Sequence, residues 1–267
     1  MRRPPRTTRV RTTLRCACLL AVAGVVAACD RAPSYGSGEE LLAAMHAAHA
    51  DSWYRTLFFK QNVIRTDPDG TEQAGNEVWT EYLEVPARLR IDLADGYDGN
   101  GVIYSGDSLF VFQAGALVQR QAQTNDLLTL GFDVYGQPPE RTAEVLREKG
   151  FDLSKIRRDT WRDRPVWVVG ADSGDTHTRQ FWIDGERLLF VRLLEPYPQA
   201  TDRTLEFIFD DYQPLAGGWI APLVRFRLDG REFMREEYFA MAADTTLPDG
   251  IFDPERWSEV VGSGAAN

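Results

Sequence analysis

Side chains able to do chemistry are few in this sequence, and their spacing brings few of them together. His46 and His49 stand one helical turn apart, close enough for two imidazoles to share a metal ion. No third ligand and no His-Glu-x-x-His pattern accompanies them. His46 therefore reads as a solvent-facing residue and His49 as the end of an apolar stripe. His177 falls in the polar turn Gly174-Asp-Thr-His-Thr178 and reads as solvated. Asp210-Asp211 and Glu236-Glu237 are adjacent carboxylates. Neighbours on a strand point to opposite faces, whereas two-acid hydrolysis needs convergent carboxylates. The sequence has no Gly-x-Ser-x-Gly elbow, no Ser-x-x-Lys pair and no phosphate-cradling glycine loop. No catalytic residue, metal site or cofactor is assigned, and the chain reads as a non-enzyme.

Cys29 is different, because of what precedes it. Arg2, Arg3, Arg6, Arg9, Arg11 and Arg15 open the chain with no acid among them, and an apolar run from Cys16 to Ala28 follows. That run is short for a membrane span. A basic stretch, a short apolar stretch and small residues before a cut are the order of a secretory signal peptide. Val26-Ala27-Ala28-Cys29 resembles the lipobox of bacterial lipoproteins, in which the Cys thiol is lipidated and the preceding bond is cleaved. The small residues let a peptidase bind the extended backbone closely. The resemblance implies a signal peptide over 1–28 and a Cys29 carrying diacylglycerol (palmitate-type chains) that anchors the protein to a membrane, facing the periplasm. Cys16 and Cys18 leave with the leader, so neither a free thiol nor a disulfide remains. Asp30 resembles the inner-membrane retention signal of enteric bacteria, a rule that does not hold in all lineages. The choice of membrane stays open.

Processing sharpens the charge. Removing six arginines from 30 basic residues leaves 24 against 40 acidic ones, a net charge near −16. Such a field does not attract nucleic acid. No later apolar run reaches the roughly 18 residues of a membrane helix. Residues 29–36 read as a lipidated tether, 37–260 as one domain large enough for a sizeable core, and 261–267 as a disordered tail.

The elements that must position any site follow from pattern. Ser37 and Glu40 have capping-box spacing, and Leu41, Leu42, Met45 and Ala48 follow at helical spacing, so a helix is expected over 38–51. Residues 53–66 and 72–85 read as a long hairpin about Asp67-Pro-Asp-Gly70. Strands follow at 88–93, 102–104 and 109–112. Residues 123–150 interrupt them with an apolar insert containing Leu127, Leu128, Leu130 and Phe132, then a helix over 139–149 ended by Gly150. Strands resume at 165–171, 178–184, 187–195, 203–212, 219–228 and 231–240, with Asp184-Gly185 and Asp229-Gly230 as hairpin turns. The total is about eleven strands in an α+β chain that is mainly antiparallel.

Many of these strands are apolar on both faces, as in Leu57-Phe58-Phe59, Phe110-Val-Phe112, Trp167-Val168-Val169 and Phe207-Ile208-Phe209. A sheet with one solvated face should alternate cleanly. Both faces are therefore covered, either as ordinary core or with one face wrapped about an apolar cavity.

The succession Phe59-Lys-Gln61-Asn-Val63, Gly70, Trp79, Pro86-Ala-Arg-Leu-Arg90-Ile-Asp92 and Val102-Ile-Tyr-Ser-Gly106-Asp-Ser-Leu109-Phe-Val-Phe112, closed by Leu247-Pro-Asp-Gly-Ile-Phe252-Asp-Pro254, resembles the LolA-like periplasmic lipoprotein carriers, with LolB and the stress-sensing RseB among their relatives. The resemblance spans roughly 38–257. It implies a curved, half-open barrel of about eleven antiparallel strands, with an N-terminal helix and a helical lid over an apolar concave face that holds acyl chains. On that reading the groove draws on Phe59, Trp79, Ile91, Phe110, Phe112, Trp167, Phe181 and Phe207, and the lid on Leu127, Leu128, Leu130 and Phe132. The implied cargo is lipid or acylated lipoprotein, carried by a monomer. An alternative is an RseB-like sensor or scaffold that binds a protein partner. Val85 departs from the pattern, standing where LolA carries a basic residue tied to lid opening.

Overall fold

The computed structural model describes residues 34–75 and 77–260, together with Met1. The expected signal peptide, Cys29, most of the tether and the 261–267 tail lie outside the described residues. The chain from Tyr35 onward groups into one compact unit. Tyr35 itself belongs to it, meeting the Trp167 ring edge-on at 5.0 Å.

Helix α1 (Gly38–His49) starts where the capping pattern places it. The Ser37 hydroxyl accepts the Glu40 N–H at 3.3 Å, and the Glu40 carboxylate accepts the Gly36 N–H at 2.7 Å. Strands β1 (Thr56–Arg65) and β2 (Glu77–Glu84) form the long hairpin. The meander continues through β3 (Arg88–Asp92), β4 (Gly101–Ser105), β5 (Ser108–Gln113) and β6 (Ala116–Ala122). The insert comprises α2 (Asp126–Leu128), a π-helical turn (Thr129–Asp133), α3 (Val134–Gly136) and α4 (Pro139–Glu148). Gly150, at φ +87°, turns the chain away in the left-handed conformation that favours glycine. Then come β7 (Ile156–Trp161), β8 (Arg164–Val169), β9 (Gln180–Asp184), β10 (Phe190–Tyr197), β11 (Ala200–Asp210), a small ribbon of β12 (Gln213–Leu215) with β13 (Gly218–Ile220), β14 (Leu223–Leu228) and β15 (Arg231–Ala243).

Thirteen of these strands make one antiparallel sheet in the order β6-β5-β4-β3-β2-β1-β15-β14-β11-β10-β9-β8-β7. Its ends do not pair with each other, so the sheet is open. Within this sheet two strands were not expected, β6 and β7, and they are its two edges; β12 of the small ribbon was not expected either. The single strand expected over 219–228 divides at Pro222, which lacks the N–H a ladder needs.

The sheet bends around the insert. Asp133 Oδ1 accepts the Ala87 N–H at 2.8 Å, in the turn between β2 and β3, and the Tyr135 hydroxyl accepts the Phe190 N–H at 2.9 Å, on β10. Five strand steps separate β2 from β10, roughly 24 Å if laid flat. Residues two apart in the chain reach both sides only because the sheet curves.

Both faces are covered, by different things. The inner face, with Leu57, Phe59, Val63, Leu83, Leu89, Phe209 and Val224, packs on α1 and the insert. The alternate positions face out. There Phe58 and Tyr82 meet Ile251 and Phe252, while Ile103, Phe110 and Phe112 meet Trp257, so the C-terminal segment straps the outer face. Arg90 and Asp92 clamp the strap. They are 0% and 1% exposed and paired at 2.9 Å, and the guanidinium lies 4.0 Å from the Trp257 ring centre.

Candidate functional site

The inner face and the insert do not close fully on each other. Between them lies a cavity of about 150 Å³, lined by Phe59, Glu81, Leu83, Leu89, Ile91, Asn125, Leu127, Leu128, Phe132, Phe209, Phe226, Glu236 and Tyr238. Its floor is strands β1, β2, β3, β11, β14 and β15, and its roof is α2 and the π turn. The roof is held in place by polar and steric fits. Asn125 Oδ1 caps α2 by accepting the Leu127 and Leu128 N–H groups. Asp126 pairs with Arg179 at 3.0 Å and with Lys149 at 3.4 Å. Glycine lets the roof sit down: a methyl at Gly131 would fall 2.8 Å from the Phe209 ring, and one at Gly136 would overlap Val85. Val85 thus packs directly on the insert.

Two carboxyls interrupt the apolar lining. Glu81 and Glu236 are 6% and 9% exposed. Burial pushes the Glu81 carboxyl well above the usual carboxylate range, and repulsion from Glu236 adds to it. Burial likewise pushes Glu236 to about 7, against the pull of the Gln61 amide, the Tyr238 hydroxyl and Arg65. The Tyr238 hydroxyl stands 3.5 Å from Glu236 Oε2. Gln61, opposite Trp79 on β2 and Tyr238 on β15, is wholly buried, and its amide atoms make no hydrogen bond of good geometry. Unpaired buried polar groups each cost about 1–3 kcal/mol. Asp133, in the roof, is pushed to about 7 by burial, with the Ala87 N–H lowering it.

The residues singled out from the sequence separate into three places. Phe59 and Ile91 line the cavity, as do Leu127, Leu128 and Phe132 of the insert. Trp79 and Phe207 sit half-buried against the same core. Trp167, Phe181 and Leu130 are packed within it, Phe181 edge-on to Phe151 at 5.6 Å. Phe110 and Phe112 lie on the opposite face, under the strap, with Phe112 stacked on Trp257 at 4.2 Å and 7°. They take no part in the cavity. Apolar runs do not say which face a given ring occupies; the strand register does. Sequence reasoning missed Glu81. The signal was there: in Trp79-x-Glu81-x-Leu83-x-Val85, Glu81 is the one charge on an otherwise apolar face. Glu236 and Glu237 do point to opposite faces, as expected of strand neighbours: Glu236 lines the cavity, and Glu237 turns out to Arg235 at 2.8 Å.

Histidine does no comparable work. His49 hydrogen-bonds the Arg187 carbonyl at 2.8 Å and His177 meets the Thr204 hydroxyl at 3.0 Å. No group of three or more His, Cys, Asp or Glu side chains is placed to hold a metal among the described residues. Wider clefts of about 410 and 550 Å³ exist elsewhere. The first is lined by Arg162, Arg187 and Asp210, each in an ion pair, and the second by the strap. Neither is roofed by the insert.

Solved structures share this open antiparallel architecture with helices on the concave face. A DUF1329 family protein from Desulfovibrio piger superposes with a TM-score of 0.53 at 13% identity, over 81% of this chain and 95% of that one. A domain provisionally described as an outer membrane lipoprotein-sorting protein, from Vibrio parahaemolyticus, gives 0.52 at 12% identity, over 82% and 97%. A LolA superfamily protein from Nitrosomonas europaea gives 0.49 at 14% identity, over 79% and 96%. No family model and no curated protein matches the sequence. At such identities the likeness to the Desulfovibrio and Vibrio structures establishes the fold alone, the open antiparallel sheet with helices that the sequence led one to expect. No helix among the described residues is long and apolar enough to cross a membrane.

Proposed function

We propose that this protein is a non-catalytic lipoprotein of the bacterial envelope that binds lipid, or the acyl chains of other lipoproteins, between its lid and its concave sheet, as a monomeric carrier or sorting factor. Cys29 anchors it by its own lipid. The observation that supports the reading is the apolar cavity under the insert, which a fully packed core would not leave. Apolar area removed from water, at about 25 cal/mol per Å², is what holds an acyl chain. The cavity matches in size one that takes benzene, so a full chain needs more room than it gives, which outward movement of the insert would supply. The test uses residues 31–267, which carry every described strand and helix. This domain, secreted to the periplasm and purified without detergent, is extracted with organic solvent. Recovered lipid, lost when Leu127→Trp fills the cavity, is the expected result. A lipid-free protein that also refuses added lipopeptide would leave the sensor or scaffold as the better reading.

A further inference from the structure

The acyl groove explains the apolar walls and leaves its polar floor without a role. Glu81 lines the cavity almost fully buried, and burial first and Glu236 second push its carboxyl up. Glu236 lines the same cavity with no salt bridge of its own among the described residues; the Tyr238 hydroxyl stands 3.5 Å away, and the Gln61 amide and Arg65 pull on it more weakly than burial pushes. Gln61, on the same face of β1 as Phe59, has its amide atoms unpaired. We propose that Glu81 and Glu236 seat the carbonyl end of the acyl cargo: an ester or carboxylic acid oxygen accepts a hydrogen bond from the acid pair, while the alkyl chain runs over the apolar walls. The inference rests on the acyl-groove reading above.

Chemistry selects this ligand over others. Two carboxyls facing one small apolar space do not both ionise, so the pair holds a proton and acts as a donor. No Lys or Arg lines the cavity, so no cation is in place for a phosphate headgroup. The ionisable groups facing the pair are Tyr238 on β15, Tyr104 from β4 and Arg65 at the end of β1. The lid contributes Asn125 and apolar side chains to the cavity, and β11 and β14 contribute Phe209 and Phe226. Proton loss from the pair with rising pH removes the donor and places charge against the carbonyl.

The experiment measures binding of methyl hexadecanoate and of hexadecane, each delivered from cyclodextrin, to residues 31–267 at pH 6 and pH 8.5 by native mass spectrometry. The ester is expected to bind at least tenfold tighter than the alkane at pH 6, with that preference falling at least threefold at pH 8.5. The double change Glu81→Gln/Glu236→Gln keeps donors and shape, and is expected to keep the preference while flattening its pH dependence. Glu81→Leu is expected to abolish the preference and leave alkane binding. Equal binding of ester and alkane by the wild type overturns the seat while the groove stands. An ester preference that grows with pH, or displacement of the ester by hexadecylamine at pH 8.5, also overturns it and makes the pair a cation site. Binding of neither lipid overturns the groove and the seat together. The wild-type comparison needs no variant to fold.

Discussion

The two faces of the sheet start from the same composition and end differently. On the outer face the C-terminal strap fills the space: Phe112 stacks on Trp257, Arg90 lies over the same indole, and Asp92 closes the charge. On the inner face the insert leaves a cavity, two acids in no salt bridge and an unpaired amide. An apolar face is thus not a groove by virtue of being apolar. The cover decides, and packing defects with polar groups on them mark the face that is kept for something else.

The largest effect should come from the outer clamp. Arg90→Ala strands the buried Asp92 carboxylate and is expected to cost about 3–5 kcal/mol in chemical denaturation. Acyl binding by the fraction that remains folded should be unchanged; coupled loss of both would break the contrast between faces.

Next is the pH dependence of the inner face. Glu236, at about 7, and Glu81 have folded values above their unfolded ones, as does Asp133 at about 7. An acid raised on folding contributes full stability below its unfolded value and loses it as pH rises through the folded value. Stability should therefore fall between about pH 4.5 and 7.5. Glu236→Gln should remove on the order of 3 kcal/mol of that fall, since each tenfold change in proton affinity is worth about 1.4 kcal/mol. Urea midpoints across pH would check it, and parallel slopes for variant and wild type would contradict it.

A smaller effect should follow from Gly136→Ala. The added methyl meets Val85 and should lift the lid at about 1–2 kcal/mol, the usual size of overpacking. Hydrogen exchange should speed across residues 126–136 and not in the strap.

Much of this was legible in advance, for identifiable reasons. Ser37 and Glu40 mark the start of α1, and Gly150 closes the turn after α4, because caps are local chemistry. The hairpin at Asp67–Gly70 is local too. The edges were not legible: Ala116–Ala122 is almost wholly exposed and Ile156–Trp161 has no apolar face, so nothing in their periodicity distinguishes a strand from a loop. The site was half legible. Phe59, Ile91 and the insert leucines were visible as apolar positions, whereas the displacement of Phe112 to the strap and the meeting of Glu81 with Glu236 depend on register across three strands.

Whether the inner cavity takes lipid is the question on which the rest depends. Native mass spectrometry of residues 31–267, wild type beside Leu127→Trp, each exposed to an acylated peptide without detergent, decides it. The expected result is an adduct of one acyl-peptide on the wild type and none on the variant, with both folded by near-ultraviolet circular dichroism. Equal adducts on both, or none on either, would contradict the claim that the space between lid and sheet is the binding site.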